Sequence, residues 1–137
     1  MLAVGQEKLG IQDPNVIKAF GAFGGGIGGS GNVCGVLLAG VAVISSLYSR
    51  GSLEEKENPR MWKLSHRYME KFAALTAEHG GLTCAEIAKV NWRDRDEAKN
   101  FYTNPESSRK ECIRLVGEAA HALGELLEQE TARETQG

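Results

Sequence analysis

Gly21-Ala22-Phe23-Gly24-Gly25-Gly26-Ile27-Gly28-Gly29-Ser30-Gly31, followed after Asn32 by the largely apolar run Val33 to Tyr48, decides how this chain folds. No residue between Lys18 and Arg50 carries a charge, which raises the question of a membrane span. The seven glycines from Gly21 to Gly31 answer it. A helix through them would lose about 1 kcal/mol per glycine relative to alanine. Lipid, in turn, offers an exposed loop backbone no hydrogen bonds. What is left, Val33 to Tyr48, is short for a span and long enough for a buried core helix. The expectation is therefore a central helix entered from a glycine-rich loop, and no membrane span. Gly35, Ala39, Gly40 and Ala42 give this helix a small-residue side. Such a side lets a neighbouring helix come close, either in the core or across a homodimer interface.

Outward from this stretch the punctuation is helical. Leu2 to Leu9 reads as a short helix stopped by Gly10. Asp13-Pro14 reads as N-cap and first turn of a helix through about Phe20. Asn32 is expected to cap the central helix, which runs to about Ser49. Asn58-Pro59 opens a helix with Met61, Leu64, Tyr68, Phe72 and Leu75 at spacings of three and four. Thr83-Cys84-Ala85-Glu86 and Ser108-Arg109-Lys110-Glu111 both have the pattern of a capping box. The first predicts a helix through about Val90. The second predicts a long helix with Cys112, Leu115, Val116, Ala119, Leu123, Leu126 and Leu127 on one face. Asn91 to Ser107 reads as a charged surface loop with at most one helical turn, and Thr131 to Gly137 as a frayed tail. No segment alternates as a strand would. The chain is expected to be one all-α domain, residues 1–137, of about five or six helices around a buried central helix.

Composition narrows the function. The chain has 137 residues, 42% hydrophobic and 25% charged, with net charge −2. This excludes a disordered chain, and the absence of a basic tract argues against a nucleic-acid partner. Three cysteines, an odd number, do not make a disulfide framework. Met1 to Lys8 lacks the pattern of a secretory leader, so the default setting is the reducing cytoplasm. There is no C-x-x-C, H-E-x-x-H or P-loop. His66, His79 and His121 read as surface or locally satisfied histidines. Gly26-Ile27-Gly28-Gly29-Ser30-Gly31 spells G-x-G-x-x-G, but a helix rather than a strand precedes it. A dinucleotide fingerprint needs the strand.

The cysteines share a position. With the caps above, Cys34 falls at N2, Cys84 at N1 and Cys112 at N4 of three helices. Unpaired N–H groups there favour a thiolate, the form that attacks and that binds metal. If the helix starts converge, the three sulfurs form one redox or metal site. The same residues also fit as small buried hydrophobes, and Cys112 lies on an apolar stripe.

Ala22-Phe23-Gly24-Gly25-Gly26-Ile27-Gly28, then Cys34-Gly35, then Cys84 near a helix start, then Cys112 before Leu115-Val116 and Ala119-Ala120, resemble the small bacterial and archaeal C_GCAxxG_C_C proteins. The resemblance covers almost the whole chain. It departs at Val36 and Ala39, which stand at the pattern's small positions in Cys34-Gly35-Val36-Leu37-Leu38-Ala39. It implies an all-helical, redox-active protein related to a domain of split-Soret cytochromes, and from there an iron–sulfur cluster or another metal ion. It also places a fourth family cysteine a few residues before the segment matching Leu2-Ala3-Val4. The short first helix is too small to be stable alone. Its docking is therefore expected to bring Met1 near the three cysteines. The leading expectation is thiol-based redox or metal chemistry at Cys34, Cys84 and Cys112, supported by Gly24, Gly25, Gly26, Gly28 and Gly35. No redox partner, substrate or reaction follows from the sequence. The rival is a non-catalytic helical interaction module or homo-oligomer with structural cysteines.

Overall fold

The computed structural model describes all 137 residues as seven α-helices without a strand. They are α1 (Leu2–Leu9), α2 (Pro14–Ala19), α3 (Gly35–Tyr48), α4 (Arg60–Thr76), α5 (Cys84–Ile87), α6 (Arg95–Thr103) and α7 (Arg109–Gln136). Single 3₁₀ turns lie at Gly21–Phe23 and Ala77–His79. No helix is long and apolar enough to cross a membrane.

The core follows from the stripes. On α4, Met61, Leu64, Tyr68 and Phe72 are buried; on α7, Leu115, Ala119, Leu123, Leu126 and Leu127 are. Both meet α3, which buries Leu37, Ala39, Val43 and Ile44. The helix α3 lies at the centre, against α1, α4 and α7. The close approach of α3 to α4 depends on Gly40, because a Cβ there would lie inside the Tyr68 ring.

Directions can be read from named pairs. Arg60 of α4 pairs with Glu130 and Glu134 near the end of α7, and Arg114 near its start pairs with Glu78 just past α4. So α4 runs antiparallel to α7. In α1, a Cβ on Gly5 would press on Val43, and Lys8 pairs with Glu128 at 2.6 Å. Leu9 lines the same hollow as Leu47 and Tyr48. Hence α1 runs parallel to α3 and α7, with Met1 at the end nearer Cys34 and Cys112. Met1 itself sits beside Val43, Ala120 and Leu123.

The capping signals divide. Asp13 accepts from the Asn15 and Val16 N–H groups, and the Thr83–Glu86 capping box is complete. Three expectations are corrected. Asn32 does not cap α3, because its side chain turns to the Val33 N–H and Cys34 takes the cap position. Ser108 holds the N-cap position of α7 but forms no capping box, because its hydroxyl donates to the Ala88 carbonyl at 2.5 Å. The segment Asn91 to Ser107 contains a nine-residue helix, α6, capped by Asp94 through the Asp96 and Glu97 N–H groups. In addition, α5 is one turn ending at Ile87, and α7 continues through the expected tail to Gln136.

Candidate functional site

The glycine loop sets the geometry of the cysteine end. Residues Gly25 to Gly29 all have positive φ, Ile27 included at 63°. This makes a tight left-handed turn, closed by Gly31 N–H to Gly25 O (3.0 Å) and Asn32 N–H to Gly26 O (3.0 Å). From it the chain runs antiparallel to the segment before α5. Cys34 N–H donates to Leu82 O at 2.9 Å, Cys84 N–H to Asn32 O at 2.7 Å, and Ala85 N–H to Gly31 O at 3.0 Å. These bonds hold Cys34 and Cys84 on neighbouring strands of backbone. The Ser108–Ala88 bond then fixes the start of α7 to the end of α5. Cys112, one turn along α7, packs both on the main core and on the small cluster of Cys84, Ala88 and Phe101.

All three thiols are free. Burial pushes the Cys34 thiol up, the Val36 and Leu37 N–H groups partly offset this, and a charge on Cys84 adds to it. Burial pushes Cys112 up to about 11, and charges on Cys84, Cys34 and Glu111 act in the same direction. Charges on Cys84 and Cys34 bear on Cys112, and one on Cys84 bears on Cys34, but the three sulfurs do not all lie within 4.8 Å of one another. For Cys34 and Cys112, desolvation outweighs the helix start, contrary to the simple helix-terminus argument. Cys84 is different in its contacts. It is buried, and its sulfur accepts the Trp92 indole N–H at 3.2 Å. Its helix, α5, is a single turn and offers little dipole. Sequence reasoning did not single out Trp92.

Tyr68 of α4 is fully buried against the start of α3, its hydroxyl 3.5 Å from Val36 O. Burial, with a charge on Cys34, raises its phenol above the ordinary range. A raised thiol pKa has a stability consequence. Folding prefers the protonated Cys112, so its contribution is complete below about 9 and is lost as pH rises towards about 11. A rise from 9 to about 11 corresponds to at most about 2.7 kcal/mol. Reduced Cys112→Ala should therefore lose part of the fall in urea midpoint across that window. An unchanged slope would contradict the burial of this thiol.

The supporting glycines differ in what they do. A Cβ on Gly26 would lie 2.5 Å from both the N and the O of Asn32 and 2.7 Å from Cys84 Cβ. One on Gly25 would meet the Trp92 ring at 3.2 Å, and one on Gly35 the Phe23 carbonyl at 3.0 Å. Gly24 and Gly28 face open space or ordinary contact.

A second group of donors stands at the same end of the bundle. Ligand atoms of Glu78, His79 and Glu111 lie within 4.8 Å of one another. Arg114 already occupies this group, at 2.6 Å from Glu78 and 2.9 Å from Glu111. His66 and His121 do not join it.

The family model described as "Putative redox-active protein (C_GCAxxG_C_C)" matches residues 1–126, and so includes the glycine loop and all three cysteines. The chain belongs to the C_GCAxxG_C_C family. Neither the curated proteins nor the solved structures give a match. In this C_GCAxxG_C_C protein the family's cysteine order is realised as one end of a helical bundle, with the glycine loop as the piece that lets Cys34 and Cys84 come side by side.

Proposed function

We propose that this protein is a thiol-based redox centre whose working residues are Cys34, Cys84 and Cys112, acting together as one site that holds a thiophilic metal ion or an iron–sulfur cluster. The observation that supports it is that three free thiols from three separate segments stand at one end of the bundle, Cys34 and Cys84 on paired backbone and Cys112 packed on the Cys84 cluster. The chemistry of the donor set fits such a group, and binding would have to draw together sulfurs that do not all lie within 4.8 Å of one another. Thiolate sulfur suits zinc and iron–sulfur centres, and coordination removes the proton outright even where burial holds it on. When bound, the group would supply electron exchange or fix the thiols in the anionic form. The chain's own residues do the rest. Backbone bonds of residues 31–34 with 82–85 orient Cys34 and Cys84, the apolar core excludes water, and the Trp92 N–H holds the Cys84 sulfur.

The test is to purify the protein anaerobically, record its visible absorption and analyse its metal content. Iron with sulfide and a visible band, or a stoichiometric thiophilic metal, is the expected result. A colourless, metal-free protein whose thiols also resist oxidation would overturn the proposal. It would favour structural cysteines in an interaction module or homo-oligomer.

A further inference from the structure

A groove of about 520 Å³ is lined by Trp92, whose indole N–H meets the Cys84 sulfur, and by Ala85, the next residue after Cys84. Gly29 and Gly31 of the glycine loop line it together with Lys89, Asn91, Trp92 and Arg93. Both charged side chains lining it are cationic, and both are exposed. Of the nearby carboxylates, Glu86 is taken by Thr83 and Asp94 accepts the Asp96 and Glu97 N–H groups, while Glu97 accepts the Asn91 N–H at 2.8 Å on the groove's own wall. The indole is held by contact with Gly25 and Gly29 and by an edge-on stack with Phe101 at 4.9 Å. Lys89 is held with φ at 55°, a conformation unusual for a residue with a side chain. It follows the C-cap Ala88, the place where a left-handed residue ends a helix such as α5.

We infer that this groove is the entrance through which an anionic disulfide substrate reaches Cys84, steered by Lys89 and Arg93 and admitted past Trp92. The inference rests on the proposed role of Cys84 as a working thiol. The exchange is balanced. Cys84 gives its proton to solvent, and its sulfur attacks one sulfur of the incoming disulfide. That S–S bond breaks, a mixed disulfide forms on Cys84, and the other half leaves as a thiolate with the bonding electron pair.

Two probes separate charge from chemistry: dithiobis(nitrobenzoate), an anionic disulfide, and dithiodipyridine, a neutral one. Both are applied to the reduced, metal-free full chain, and modification of Cys84 is followed by peptide mass spectrometry. In Lys89→Gln/Arg93→Gln the rate of the anionic probe relative to the neutral one should fall roughly tenfold at low salt, the lower end of electrostatic steering. High salt should erase the wild-type preference and leave the variant unchanged. Trp92→Ala should speed both probes and keep their ratio. Equal ratios in wild type and the double variant, or no acceleration in Trp92→Ala, would overturn the inference while leaving Cys84 as a working thiol. Inertness of Cys84 to both probes in every protein would overturn the proposed redox role as well.

Discussion

Gly26→Ala should cost the fold about 3 kcal/mol and disorganise the cysteine end before it unfolds the bundle. The new methyl would lie 2.5 Å from the Asn32 N and O and 2.7 Å from Cys84 Cβ. Two of these are backbone atoms, and the carbonyl is the one that accepts the Cys84 N–H. Neither can move without parting residues 31–34 from 82–85. The left-handed φ of 71° adds about 1 kcal/mol for any L side chain. Gly28→Ala is the internal control. Its φ is 61° but its Cβ would meet nothing within 4 Å, so only the conformational cost of about 1–2 kcal/mol applies. Urea denaturation gives the stabilities, and the alkylation rate of Cys84 reports the site. Equal effects of the two substitutions would show that the loop does not press on Cys84.

Gly40→Ala should destabilise by about 2–3 kcal/mol although alanine is the better helix former. Two effects compete. In mid-helix the substitution gains about 1 kcal/mol of propensity. Against it stands the Tyr68 ring, which a Cβ would overlap at three ring and hydroxyl atoms. That ring is fully buried and cannot swing away. Overpacking of this kind costs about 1–3 kcal/mol, occasionally more, and here the whole α3–α4 contact must widen. Tyr68→Phe should not relieve it, since the clash includes ring carbons, while Tyr68→Leu in the same chain should. The weak bond from the Tyr68 hydroxyl to Val36 O, at 3.5 Å, makes Tyr68→Phe alone nearly silent. A double-mutant cycle in urea reads these terms. A stabilising Gly40→Ala would mean that the two helices do not meet here.

The parts of this fold that sequence makes legible are those whose cause is local. Asp13-Pro14 and Thr83 to Glu86 carry their own hydrogen-bond partners within three residues, and the apolar spacing of α4 and α7 needs no partner to be seen. Asp94 with Glu97 three residues on is also a local cap signal, hidden by the surrounding charges of Arg93, Arg95 and Asp96. The start of α3 and the missing side-chain cap of α7 have another cause. Ser108 is drawn to Ala88, twenty residues away, and the segment holding Asn32 is drawn to that before α5. Such bonds form only once the bundle exists. The three cysteines stand out in the sequence, but their burial and the Trp92 contact do not, because both depend on where α5 and α6 dock.

The central claim is that Cys34, Cys84 and Cys112 are one site. A cadmium titration of reduced, metal-free protein tests it most directly, followed in parallel by the ultraviolet thiolate-to-metal band and by alkylation of each cysteine. Thiolate sulfur is the ligand soft ions prefer, and binding must displace the thiol protons. The account predicts saturation at one ion per chain, release of protons, and joint protection of all three cysteines, with Cys84→Ser weakening the protection of Cys34 and Cys112. Independent alkylation of the three cysteines at saturating cadmium, with no thiolate band, would contradict it.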